Sequence, residues 1–253
     1  MVVLTINELY ISLVLPRTYI ARSESSYIDY LKELPDNHIQ NAFFGDSHVA
    51  NSINPEYLPN TFNFGTPGEN YIKTYYRLKK IINQDKVTIE NAFIQVDTHS
   101  FSSYMNEEAL FIGDSLWYYH KLMPFRLTQK VSKKSLLSLF IESKLPVIGH
   151  AAHFSYIING RKIHVVNNGW ISRSGNFSEN PEDQKEQIAS HRFNQYFTEK
   201  TLIDPVAEEY FEKIILLAEQ KNITLFFIRY PVTSYCKDSI TSQLSVEEIY
   251  PLS

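Results

Sequence analysis

The sequence predicts an α/β fold, a flavodoxin-like three-layer sandwich with a mostly parallel central sheet and an inserted, cap-like segment. Three observations carry that expectation. Apolar runs of strand length occur at residues 39–44, 61–64, 91–96 and 223–228. Helical stretches with an apolar stripe separate them, and polar turns close them. The first run, 39–44, ends in Gly45-Asp46-Ser47 and reads as a buried parallel strand followed by a sharp turn at its carboxyl end.

Taken in order, residues 1–15 are apolar but broken by Asn7 and Glu8, with no basic residues before them and no small-residue cleavage site. They fall short of the roughly 20 residues that a spanning helix needs. They read as neither a signal peptide nor a span, and they fit the trailing end of a membrane anchor whose first half lies outside the sequence. Residues 1–37 are therefore a lead-in to a domain at 38–253, with a short helix expected at 27–33 and ended by Leu34-Pro35.

The run 39–44 ends in Gly45-Asp46-Ser47, and a helix is expected from residue 48. The second strand closes on Gly65-Thr66-Pro67-Gly68. Residues 69–83 place Tyr71, Tyr75, Leu78, Ile81 and Ile82 on one helical face. The third strand ends at Asp97-Thr98-His99-Ser100. The insert spans about 100–198, with a helix at 136–143, a hairpin at 156–166 about Asn159-Gly160, and a polar loop at 173–187. Residues 205–221 form the last helix before the final strand. The insert is expected over the carboxyl ends of the strands, where open α/β sheets bind ligands.

Composition narrows the function classes. The chain has 253 residues, 43% hydrophobic and 21% charged, with a net charge of -4. Its densest basic run, Lys130 to Lys134, reads as a solvated helix start, so no nucleic-acid partner is expected. A single cysteine, Cys236, excludes an intrachain disulfide and a cysteine-built zinc site. His150 and His153 share a helical side, but no third ligand accompanies them. No metal and no other cofactor is expected.

The chemistry converges on Ser47. A serine hydroxyl needs a base to take its proton and donors to hold the oxyanion that forms. A serine just past a buried strand and just before a helix sits at the sheet rim, near free amides of the first helical turn. The structural alternative is that Asp46 or Ser47 simply caps that helix. Trp170, beside Asn168, Gly169 and Arg173, is either a platform for a sugar ring or a core anchor of the insert. Ile112-Gly113-Asp114-Ser115 repeats three letters of the motif and reads as a turn and cap.

Phe43-Phe44-Gly45-Asp46-Ser47-His48 resembles the first sequence block of the SGNH (GDSL-like) hydrolases, in the GDSH form of envelope-associated members related to polysaccharide O-acetylation proteins. Asn63-Phe64-Gly65 resembles the family's second block. The resemblance covers about residues 38–104 and 200–236. It implies an esterase or O-acyltransferase acting on acyl groups of a carbohydrate at the cell envelope, with membrane-associated assembly partners. Ser47 would be the nucleophile, and Asp46 belongs to the same motif. The Ser47 and Gly65 amides would form the oxyanion hole, with His48 at the pocket.

Two departures qualify it. Where the family carries a Gly-x-Asn-Asp block, this chain has Asp97-Thr98-His99, so His99 or Asp97 takes that polar role. The family's terminal Asp-x-x-His has no counterpart here, since the last of eight histidines is His191. The expected base is thus either outside this sequence or another histidine. Two further readings remain: a non-catalytic SGNH-like carbohydrate-binding or assembly domain, and a flavodoxin-like domain that binds a phosphorylated ligand.

Overall fold

The computed structural model describes residues 2–106, 118–148, 167–171, 179–198 and 201–231. Its centre is a sheet of four parallel strands, β1 (His38–Phe44), β2 (Thr61–Asn63), β3 (Thr88–Gln95) and β4 (Thr224–Ile228), in the order β2-β1-β3-β4. Helices flank it, consistent with the flavodoxin-like three-layer sandwich. After β1 the chain pairs β2 on one side and then crosses to β3 on the other. The carboxyl ends of β1 and β3 therefore bound a topological switch point.

The described helices are α1 (Val2–Leu9), α2 (Tyr19–Glu33), α3 (Ser47–Ser52), α4 (Tyr71–Asn83), α5 (Phe125–Ser132), α6 (Leu136–Lys144), α7 (Glu182–Phe197) and α8 (Pro205–Gln220). Their starts follow from local chemistry. Asn70 accepts from the Lys73 amide to cap α4, and Asp204 accepts from the Val206 and Ala207 amides to cap α8 behind Pro205.

Period-two alternation divides the sheet into two faces. Ala42, Phe44, Phe62, Phe64, Ala92, Ile94 and Phe227 share one face by register. Helices α2, α4 and α8 cover it: Tyr27 meets Phe62 and Phe64 edge-on, Phe211 meets Phe227, and Tyr71 meets Phe211. On the other face Phe43, Phe93 and Phe226 stack in a row across three strands.

Beneath the end of β2 lies a buried charge. Arg77 donates through Nη1 to Phe64 O and to Thr66 Oγ1, and its Nη2 stands 3.9 Å from Glu69. Glu69 also accepts from Thr66 Oγ1 and Tyr119 OH, so a fully enclosed network holds the turn that follows β2.

The strands fall within three residues of their expected limits. Helix α2 begins eight residues earlier than expected, at Tyr19. The polar loop expected at 173–187 is corrected: Glu182 opens a sixteen-residue helix, α7, which buries Ala189, Phe193 and Phe197 at four-residue spacing. Its first six residues, Glu182 to Gln187, are all polar, so that stretch reads as loop. The expected hairpin at 156–166, the second Gly-Asp-Ser and the His150/His153 pair lie outside the described residues. No helix among the described residues is long and apolar enough to cross a membrane.

Candidate active site

Gly45 makes the turn from β1 into α3 possible. A Cβ there would lie 2.3 Å from both Gln95 Oε1 and Val49 Cγ2. Only a bare backbone lets the end of β1 approach β3 and α3 this closely. Gln95, last residue of β3, then bridges the two strand ends. Its Oε1 accepts from the Asp46 amide at 2.8 Å, and its Nε2 donates to Asp97 Oδ2 at 2.6 Å.

Asp46 is the N-cap of α3, accepting from the His48 amide at 2.8 Å. It does more than cap. Its Oδ1 also accepts from His48 Nδ1 at 3.0 Å, and its Oδ2 accepts from His99 Nε2 at 2.7 Å. One buried carboxylate thus orients two imidazoles, one on each side of the switch point. Burial pushes the Asp46 carboxyl up, but the hydrogen bonds and charges of His48 and His99 outweigh it and hold the group well below the usual carboxylate range. The His48 imidazole is raised by its hydrogen bond to Asp46, against a smaller opposing effect of burial, with Asp97 adding to the rise.

Asp97 is itself fully engaged. Oδ1 accepts from the Tyr230 amide at 2.8 Å and Oδ2 from Gln95. His99 stacks on Tyr196 with ring centroids 4.7 Å apart. His48 faces Tyr230 at 5.8 Å.

Ser47 opens α3 and, with His48 and His99, lines a cavity of about 210 Å³. Arg192, Phe193 and Tyr196 of α7 form its roof, and Arg229 and Tyr230, just past β4, form its side. Helix α7, from the segment expected as an insert, stands at the carboxyl ends of β1 and β3 through these lining residues. The Ser47 hydroxyl and amide have no hydrogen-bond partner among the described residues.

The remaining expected residues fall elsewhere. The Gly65 amide donates to Asn63 Oδ1 at 2.8 Å, and the Thr66 amide donates to Gly45 O. The turn after β2 therefore spends these amides internally rather than offering them to an oxyanion or a phosphate. Trp170 does not line the cavity. Its indole donates to Asn51 O at 2.9 Å, tying residues 167–171 to α3, while Gly169, at φ +85°, abuts Asn63 O.

The donor atoms of Asp46, His48 and His99 lie within 4.8 Å of one another, so this is where the described residues could hold a cation. In the structure those atoms satisfy each other instead. Gln95, Arg192, Tyr196, Arg229 and Tyr230 were not foreseen from sequence. The signal for α7 was Pro181 followed by two acids, a helix start, with apolar residues at 189, 193 and 197. A scan against protein-family models and searches of curated proteins and of solved structures found no match to this chain.

Proposed function

We propose that this chain is an SGNH-type serine esterase or O-acyltransferase acting on acyl groups of a carbohydrate. The observation that carries the reading is the placement of Ser47 beside the Asp46–His48–His99 network on one cavity at the switch point.

Ser47 Oγ attacks the acyl carbonyl and its proton passes to His99. The carbonyl π pair moves to oxygen, and the Ser47 amide and the His48 cation meet the charge. The tetrahedral species collapses, expelling the sugar oxygen, which takes the proton back from His99. Water or a second hydroxyl then deacylates the serine. His99 is assigned the base because Asp46 fixes its Nε2–H, leaving Nδ1 to accept. His48 is disposed to stay cationic to higher pH than a free imidazole, which suits it to charge stabilisation. Under this reading the base lies within the chain, in the third-strand turn rather than in a terminal block.

Hydrolysis of p-nitrophenyl acetate tests the reading. Wild type is expected to turn over and Ser47→Ala to lose at least about a hundredfold in kcat; equal rates in both would refute it. A non-catalytic carbohydrate-binding domain is favoured by one specific observation, the internal use of the Gly65 amide. That reading predicts no turnover in either protein with retained binding of an acetylated oligosaccharide.

A further inference from the structure

The large exposed apolar side chains are unevenly distributed. Among the described residues, half of them lie in two segments, Val3, Leu4, Ile6, Leu9 and Leu13 in one and Leu136, Leu137, Phe140 and Ile148 in the other. Leu4 is 61%, Leu137 69% and Phe140 56% exposed, so these are side chains standing in solvent.

The two segments are joined. Asn7, buried, donates to Lys144 O at 3.4 Å and accepts from the Val147 amide, and Val147 packs against Tyr10, Val14 and Leu15. Of residues 3–14 only Asn7, Tyr10 and Val14 are buried, and Val3, Leu4, Ile6 and Leu9 of α1 are exposed. On α6, Leu136, Leu137 and Phe140 share the outward face with Lys144. The two segments, held together at Asn7 and Val147, thus concentrate more exposed apolar side chains than scattered residues would give.

Its charge names the occupant. Residues 124–148 carry Arg126, Lys130, Lys133, Lys134 and Lys144 against one acid, Glu142, which is already paired with Lys134 at 2.6 Å, and α1 adds a single exposed acid, Glu8. This basic stretch, adjoining α6 in sequence, belongs to a chain whose net charge is -4. Exposed apolar helices beside a net-basic stretch, on an otherwise acidic molecule, match an anionic bilayer surface. The residues fit insertion locally too: the Ser12 hydroxyl folds back onto Glu8 O at 2.8 Å instead of facing outward.

We infer that the joined surface of α1 and α6 docks onto an anionic lipid bilayer. The proposed mode is interfacial, since no helix among the described residues is long and apolar enough to cross a membrane. The leucines and Phe140 enter the acyl boundary and the lysines meet the headgroups. This inference does not rest on the proposed esterase activity.

The test is flotation of the full chain with vesicles of phosphatidylcholine alone and of phosphatidylcholine with one quarter phosphatidylglycerol. Binding to the anionic vesicles is expected, with little to the neutral ones, falling as salt is raised. The double change Leu137→Glu and Phe140→Glu should lower partitioning at least about tenfold with an unchanged circular dichroism spectrum. Lys130→Glu and Lys133→Glu should each cost about fivefold per charge removed on anionic vesicles only. Equal binding to both vesicles, or none to either, would overturn the inference. So would a concentration-dependent dimer that Leu137→Glu abolishes, since the surface would then be an interface between copies.

Discussion

Asp46 accepts a hydrogen bond from His99 Nε2 at 2.7 Å, joining residues fifty-three positions apart where β1 and β3 end side by side. The same carboxylate caps α3 and holds His48. Three jobs meet in one side chain, which makes Asp46 the pivot of the candidate site.

Removing either half of that contact should slow catalysis more than it weakens binding. His99→Gln and Asp46→Asn are each expected to lower kcat for p-nitrophenyl acetate by about a hundredfold or more, with KM changed little. The steady-state parameters of both variants decide this. A loss confined to KM would place the pair in substrate binding instead.

The network should also make folding stability depend on pH from two sides. Asp46 is depressed on folding, so its contribution is present above an unfolded carboxyl pKa of about 3.9 and fades as pH falls through the lower folded value. His48 is raised, so its contribution is full below about 6.5 and fades as pH rises through the folded value. Thermal melts of wild type and His48→Gln should therefore differ most near pH 5–6 and converge in alkali. A gap that widens with pH would contradict the assignment.

Gly45→Ala is expected to destabilise the protein by about 1–3 kcal/mol, because the added methyl overlaps Gln95 and Val49. Denaturant unfolding should show it. The same variant should lose activity at temperatures where it remains folded, since Gln95 orients both Asp46 and Asp97.

Arg77→Met leaves Glu69 buried beside an emptied site and should cost about 3–5 kcal/mol. Adding Glu69→Gln should recover part of that loss, as the stranded charge is removed. Urea titrations of the single and double variants measure the coupling.

Much of the fold was legible in the sequence because it is encoded locally. Ile39 to Phe44 and Asn91 to Val96 are apolar runs closed by polar turns, and Pro205 opens a helix behind an aspartate cap. Ser47 was placed at the strand end for the same reason. The pairing of Asp46 with His99 was not legible, since it depends on which strands become neighbours and on a glycine that lets them close. Helix α7 was missed because only three of its positions are buried. Its Arg192 and Tyr196 therefore entered the site unannounced. Trp170 could be read two ways from sequence, and its indole is spent on Asn51 O.

The account stands on an activated Ser47, and treatment of the purified chain with a fluorophosphonate followed by intact-mass analysis tests that most directly. A single adduct that maps to Ser47, disappears in Ser47→Ala and forms at least about a hundredfold more slowly in His99→Gln is the predicted result. An unmodified wild-type chain, or an adduct that survives Ser47→Ala, would contradict it.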